Sequence, residues 1–409
     1  MGEKPLSGKR VLDLSRILAG PWTGQMLADL GAEVIKIEHP GQGDEGRTFG
    51  PVFLKDHDGK DRRESCMYLS ANRNKRSVTV DLSKPEGQHI VRELAAMSDV
   101  VLENYRVGTL AKYGLDYAAL SALNPKLVYC SITGFGQTGP YRDRPGYDAI
   151  FQAIGGLMSV TGEADNLPGG GPMKVGPSII DVVTALFSSV AVVSALYHRD
   201  AKGGNGQHID MALLDSGIAV LTHAAMHYLV SGEAPRRRGT QGNGGMPTRM
   251  FSCSDGRIMI SVGNNDQFAR LCAALGLPAL EQDKRFDSNA MRVQNRAALV
   301  PILESAFAAW KLADIVAALD VASVPAGPVN DMPQVFADPQ VKARGMQIDV
   351  PHPLSNLLSL VANPIRFSET KLDRYDPPPL LGQHTEEVLS GLLGMAQDGI
   401  ARLRATKII

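Results

Sequence analysis

Cysteine, aromatic side chains and surplus charge are all scarce in this chain of 409 residues. Its four cysteines, Cys66, Cys130, Cys253 and Cys272, form no C-x-x-C pair. That spacing excludes a zinc ribbon and a disulfide framework, and it fits a reducing, cytoplasmic compartment. Aromatics are 6% of the residues, and Lys+Arg 42 against Asp+Glu 43 leaves a net charge of −1. A balanced chain does not bind nucleic acid by bulk positive charge, and it offers an anionic membrane surface nothing to hold. No apolar run reaches the ~18 residues of a membrane span, so no membrane partner is expected. The opening Met1-Gly2-Glu3-Lys4-Pro5 carries no apolar stretch of the kind a secretory leader needs. The nine histidines do not cluster: His223 and His227 stand four apart, but without the carboxylate of an H-E-x-x-H helix, and no metal is expected. The phosphate loop G-x-x-x-x-G-K-[ST] and the G-x-S-x-G elbow are missing. No G-x-G-x-x-G follows the first strand, where Ser15-Arg16-Ile17-Leu18-Ala19-Gly20-Pro21 stands instead, so a nicotinamide dinucleotide site is not expected.

What is abundant is the alternation of strand and helix patterns. Arg10 to Leu14, Glu33 to Glu38, Ser77 to Leu82, Val100 to Glu103 and Leu127 to Thr133 read as short strands. Between them Pro21–Leu30 and Gln88–Met97 carry apolar residues at helical spacing, which argues for parallel βαβ units. Ser178 to Arg199 reads as a long helix stopped at Lys202-Gly203-Gly204-Asn205-Gly206, followed by a strand from His208. Pro235 and the glycines at 242–245 mark a junction. After it, Asp255-Gly256 predicts a hairpin and Ala297–Trp310 a helix, with a turn-rich return from Pro325 to Asp331. The high glycine and proline counts, 42 and 25, suit the many turns of an α/β enzyme.

Several stretches, in order, resemble one enzyme family. They are Val11-Leu12-Asp13-Leu14 with Ala19-Gly20-Pro21, Leu30-Gly31-Ala32-Glu33-Val34-Ile35-Lys36-Ile37-Glu38, Asn72-Arg73-Asn74-Lys75-Arg76-Ser77 and Glu103-Asn104-Tyr105. Further on come Ser131-Ile132-Thr133-Gly134-Phe135-Gly136, Pro145-Gly146-Tyr147-Asp148 and Leu380-Leu381-Gly382-Gln383-His384-Thr385. Together, from about residue 7 to about residue 390, they are similar to the family III CoA-transferases, which include formyl-CoA transferase, carnitine CoA-transferase and α-methylacyl-CoA racemase. The resemblance implies an α/β fold: a large Rossmann-like domain with a parallel sheet built from both chain ends (residues 1–225 and 330–409), and a smaller inserted α+β domain (226–329) with a glycine loop at its start. It also implies a homodimer of two interlocked chains. Its substrates would be coenzyme A, as an acyl-CoA, and a small carboxylic acid. Similarity to the dicarboxylate members, such as succinate–hydroxymethylglutarate CoA-transferase, points to succinyl-CoA or another dicarboxylyl-CoA as donor.

The family nucleophile is an aspartate that opens a helix after a small-residue turn. Here the matching position in Val175-Gly176-Pro177-Ser178-Ile179-Ile180-Asp181 is Asp181. A carboxylate suits the chemistry because it can alternate between anhydride and thioester without losing the thioester's energy. A helix N-terminus is expected to keep it ionised; on spacing alone Asp181 reads first as an N-cap or first-turn acid of that helix, and the family pattern reverses this. Tyr147 stands where the racemases carry histidine, and a phenol, ordinarily protonated at neutral pH, is a poor base for an α-proton. Transfer is therefore favoured over racemisation, with a racemase or a non-catalytic CoA-binding protein as alternatives. Asp148 matches an acidic position near the site. Gly244 and Gly245, within Gln241–Pro247, match a loop that closes over the acyl-enzyme; otherwise the segment is a flexible linker. By resemblance the CoA contacts are Leu18, Ala19, His39, Val80, Asp81, Leu82, Ser83, Asn104, Tyr105, Arg106, Lys112, Pro145, Gly146, Tyr147 and Asp148. Lys75-Arg76 is a further candidate for phosphate. Arg236-Arg237-Arg238 reads as a solvated face or as a contact for the acceptor carboxylate.

Overall fold

The computed structural model describes residues 3–242 and 244–409. Six strands form one parallel sheet: β1 (Arg10–Asp13), β2 (Glu33–Glu38), β3 (Lys75–Thr79), β4 (Val100–Glu103), β5 (Val128–Thr133) and β6 (His208–Ala212). Their order across the sheet is β3-β2-β1-β4-β5-β6. The third strand begins at Lys75, two residues before the alternation at Ser77 suggests, because Lys75 and Arg76 pair with Val34 and Ile35 in register.

Residues on these strands alternate between two apolar layers, as the two-residue repeat of a strand requires. Leu12, Ile35, Val78, Val101 and Tyr129 face one layer, shared with the helices Pro85–Ala96, Thr385–Leu393 and Gln397–Ala405. Val11, Val34, Val100, Val128 and Cys130 face the other. That second layer is covered by α1 (Ala19–Asp29), α2 (Asp148–Ile154) and α3 (Ile179–Ala201). Coverage on both faces is what permits the short, wholly apolar strands.

The described chain divides into two compact units. One takes the chain up to Leu157, with Lys174–Gly232 and Lys342–Ile409; the other takes Met158–Met173 and Glu233–Val341. The sequence reading places 158–173 with the first unit, but the backbone N–H of Gly239 donates to the Gly162 carbonyl at 2.9 Å and Arg237 pairs with Asp165, which ties that stretch to the second. The second unit has its own core, including Phe251, Ile258, Ile260, Phe268 and Phe307, around a three-stranded antiparallel sheet of Thr248–Ser252, Arg257–Ser261 and Ala326–Pro328. The expected hairpin at Asp255-Gly256 joins the first two of these strands.

One element corrects the expectation that no apolar run has membrane-span length. With 23 residues, α3 is long and apolar enough to cross a bilayer. Its polar interruptions are masked by the helix itself: the hydroxyls of Thr184, Ser188 and Ser189 donate to the carbonyls of Ile180, Thr184 and Ala185, at 2.7, 2.8 and 2.8 Å. Its Ala185, Val192, Ala195 and Leu196 pack into the core, while Leu186, Val190, Val193 and Tyr197 make an exposed stripe at helical spacing.

Phe151, wholly buried on α2, explains two glycines of the family-like motifs. A Cβ would stand 2.6 Å from its ring at Gly134 and 2.4 Å at Gly146. Gly146→Ala is therefore expected to destabilise the fold by ~1–3 kcal/mol through overpacking. A lowered thermal midpoint, partly restored by adding Phe151→Leu, checks this.

Candidate active site

The sheet order reverses between β1 and β4, and in open parallel sheets ligands bind outside the carboxyl ends of the strands at such a point. Here the turns after β1 and β4 meet there. Asn104 holds the turn after β1 through both sides of one residue: its Oδ1 accepts from the Arg16 backbone N–H and its Nδ2 donates to the Arg16 carbonyl, each at 2.8 Å. Ile17 has φ +71°, a left-handed conformation costly for a β-branched residue. It is kept there from below. Asp44 Oδ1 accepts the Ile17 N–H at 2.9 Å and Asp44 Oδ2 pairs with the buried Lys36 ammonium at 2.8 Å; Lys36 in turn donates to the Ser15 carbonyl at 2.8 Å.

Two cavities adjoin at this turn and share Arg16 and Tyr105 in their walls. The Arg16 guanidinium lies 4.4 Å above the Tyr105 ring. The first cavity, about 500 Å³, is lined by His39, Val80, Asp81, Leu82 and Ser83. The second, about 280 Å³, is lined by Leu18, Ala19, Asn104, Arg106, Pro145, Gly146, Tyr147 and Asp181. The structure thus brings nearly all the expected CoA contacts to one groove. Lys112 is exposed and lines neither cavity.

Lys75-Arg76 departs from the phosphate reading. Lys75 is buried and donates to Asp13 at 2.9 Å, to the Pro21 carbonyl at 2.7 Å and to Asn72 at 2.8 Å. Burial lowers its pKa to about 8. Arg76 pairs with Glu33 and Glu387. Both serve the fold, a consequence of burial that spacing along the chain does not reveal. In the second unit, Arg237 is engaged by Asp165 and donates to the Ser159 carbonyl at 3.1 Å, while Arg236 and Arg238 are exposed. There too the Gly244 carbonyl accepts from Asn289 at 2.7 Å, and a Cβ on Gly245 would meet the Val262 carbonyl at 2.5 Å. Asn243, which precedes both in the motif, lies outside the described residues.

Asp181 is half-buried in the first turn of α3, two residues after its start at Ile179. The cap of this helix comes from elsewhere. Asp148 Oδ1 accepts from the backbone N–H of Ile180 at 2.7 Å and of Asp181 at 3.2 Å. Ser178, at the N-cap position, makes no side-chain bond there. The Gln152 amide locks the arrangement, donating to Asp148 Oδ2 at 2.6 Å while its oxygen accepts from the Val175 N–H at 2.8 Å. The helix's positive end is thus already occupied by one carboxylate. The expectation that it keeps Asp181 ionised is overturned: burial first, and then the charge of Asp148, push the Asp181 carboxyl up to about 7.

Gln152 and three arginines of the second cavity, Arg16, Arg142 and Arg144, escaped the sequence reading. Gln152 had a signal: it stands four residues after Asp148 on one helix, a spacing at which side chains meet. Tyr147, at the start of α2, is exposed, with its ring in the second cavity's wall.

The sequence matches CoA-transferase family III over residues 6–385. It is 46% identical over 388 residues to the succinate–glutarate CoA-transferase of Agrobacterium fabrum, covering 95% of this chain and 96% of that one. It is 42% identical over 406 residues to the succinyl-CoA:glutarate CoA-transferase of Mus musculus, covering 99% and 90%. The crystal structure of a CAIB/BAIF family protein from Brucella suis superposes with a TM-score of 0.86 at 46% identity, covering 96% of this chain and 100% of that one. The chain belongs to CoA-transferase family III and is a CoA-transferase.

The raised carboxyl of Asp181 has a measurable consequence. Its folded pKa, about 7, lies above the ordinary 3.8, so its contribution to stability is complete below pH ~4 and is lost as the pH rises through 7. Asp181→Asn is therefore expected to be more stable than the wild type at pH 8 by roughly 2–4 kcal/mol, and so to melt at a higher temperature, with the advantage vanishing toward pH 4. Melting curves across that range check it.

Proposed function

We propose that the protein moves CoA between small dicarboxylic acids, with succinyl-CoA as donor and Asp181 as nucleophile. The observation that carries this reading is Asp181 itself: it is the sole acid in the wall of the second cavity among the described residues, and that cavity adjoins the first, of about 500 Å³. The dicarboxylate names of the relatives favour the substrate class.

In this mechanism a carboxylate oxygen of Asp181 attacks the thioester carbonyl of the donor. The C–S bond breaks, CoA leaves as a thiolate, and an aspartyl–acyl anhydride remains. The thiolate then attacks the aspartyl carbonyl and expels the donor acid as its carboxylate, leaving an aspartyl–CoA thioester. The acceptor carboxylate attacks that same carbonyl and expels the thiolate. The thiolate takes the acyl group from the second anhydride and frees Asp181. No proton is gained or lost in the cycle. The burial that raises the Asp181 pKa also removes the water that would hydrolyse the anhydrides. Asp148 and Gln152 act as positioning residues for the turn carrying Asp181. The first cavity takes the nucleotide end of CoA, with His39 toward its phosphates, and Leu18, Ala19 and Asn104 to Arg106 guide the pantetheine arm.

The assembly that goes with this reading is a homodimer of interlocked chains, in which the second copy covers the apolar stripe Leu186, Val190, Val193 and Tyr197 of α3. Such a stripe on a helix is costly to leave in water, and two-fold pairing is the common way for soluble chains to bury one.

Asp181→Ala is expected to abolish transfer from succinyl-CoA to glutarate, to below ~0.1% of wild type, while the circular dichroism spectrum is retained. Hydroxylamine added during wild-type turnover should convert Asp181 to a hydroxamate, read by peptide mass. Near-normal turnover in the Ala variant sinks the mechanism. The dimer is expected to persist in sedimentation at nanomolar concentration; an active monomer there contradicts interlocking.

A further inference from the structure

The cavity beside Asp181 holds more positive charge than one thioester requires. Arg16, Arg106, Arg142 and Arg144 all line it. Two of them are already paired, Arg16 with Glu45 at 2.6 Å and Arg142 with Asp143 at 3.5 Å. Arg144 has no ion-pair partner among the described residues. Its guanidinium lies 3.7 Å above the ring of Tyr141. Stacking of this kind restrains the flat cation while leaving its N–H edges free for a bidentate anion.

The restraint reaches back to the nucleophile's own support. The Tyr141 ring meets Phe135 edge-on, with centroids 5.6 Å apart, and Phe135 meets Phe151 at 5.2 Å. Phe151 belongs to α2, whose first residue, Asp148, caps the helix of Asp181. One short helix therefore sets both the carboxylate and this cation. Yet the charge of Arg144 is not used on Asp181, whose carboxyl is raised by burial and by Asp148, with no cation offsetting them. It awaits an anion that enters the cavity.

Two anions arrive in the reaction, the phosphates of CoA and the second carboxylate of a dicarboxylic substrate. The first cavity, on the far side of Arg16 and Tyr105, has basic side chains of its own, His39 and Arg63, beside the acids Glu38, Asp44, Glu45 and Asp81. Arg144 lines only the second, where the acyl group must sit to react. Resting on the assignment of Asp181 as nucleophile, we propose that Arg144 is a specificity-determining residue that grips the distal carboxylate of the dicarboxylic substrate. Donor and acceptor each form an anhydride with the same aspartate, so each places its far end in the same region. One arginine then selects both, and it ties donor and acceptor to a common chemical class.

The test compares wild type, Arg144→Met and Arg144→Lys with two substrate pairs, succinyl-CoA with glutarate and butyryl-CoA with butyrate. Folding is monitored by thermal melting. For wild type the dicarboxylate pair is expected to have the higher kcat/KM. In Arg144→Met the ratio of dicarboxylate to monocarboxylate kcat/KM should fall ~10- to 100-fold, as loss of a charged hydrogen-bond pair implies. Arg144→Lys, which keeps the charge and loses the fork, should recover part of that ratio. If both pairs lose equally, Arg144 serves the CoA moiety or the fold and the proposal is overturned. If Arg144→Met keeps the wild-type ratio, the proposal alone is overturned. A wild type with no advantage for dicarboxylates overturns the substrate class as well, so the two failures are distinguishable.

Discussion

The first backbone N–H groups of an α-helix have no partner within the helix, and at α3 two of them are satisfied by a carboxylate from another element. Asp148, thirty-two residues before Ile180, takes both. Gln152 then fastens Asp148 to the segment that leads into α3. The position of Asp181 follows from this contact, and so does its chemistry. Because the positive end of the helix is spent on Asp148, Asp181 is left in a half-buried setting beside a like charge. A carboxyl in that setting titrates near neutrality because its anion is already partly stripped of water, which suits the proposed nucleophile, whose intermediates water would destroy.

The opposite wall of the groove is built on a second set of buried charges. Lys36 and Asp44 hold the turn after β1 from beneath, one by a carbonyl and the other by an N–H, so that Ile17 stays in a conformation it would otherwise leave. Lys75 with Asp13, and Arg47 with Glu38 and Glu64, continue the layer under the sheet's carboxyl ends. Buried ion pairs are seldom a net source of stability, since desolvation offsets their attraction. Their effect here is geometric: the turn that joins the two cavities rests on groups too costly to separate.

Ligands meet parallel sheets where the strand order reverses, and this chain places its most constrained turn there. The two cavities differ in charge. The first mixes Arg63 and His39 with the acids Glu38, Asp44, Glu45 and Asp81, and the second combines one acid with four arginines and the apolar Leu18 and Ala19. The aromatic chain from Phe151 to Tyr141 links α2, whose Asp148 caps α3, to the guanidinium of Arg144.

Much of this could be read along the chain, because it depends on local spacing. Alternation marked the strands, caps and glycines marked the helix ends, and the order of short motifs pointed to the family and to Asp181. Even the glycines at 134 and 146 were visible as motif members, although their reason is the ring of Phe151, which only packing brings between them. What spacing could not express is which charges end up in the dark. Lys75 looked like a phosphate ligand and is a buried partner of Asp13. Asp181 looked like an acid kept ionised by its helix, and its proton is held by burial first and then by the charge of a residue from another helix. The apolar length of α3 was hidden by hydroxyls that bond back to their own helix. Arg144 was one cation among 42 Lys and Arg residues until the fold put it in one cavity wall with Asp181. Periodicity follows from the geometry of a strand or a turn of helix, which neighbouring residues define. Protonation, solvation and the company a charge keeps follow from residues distant in sequence, and they exist only once the chain has closed on itself.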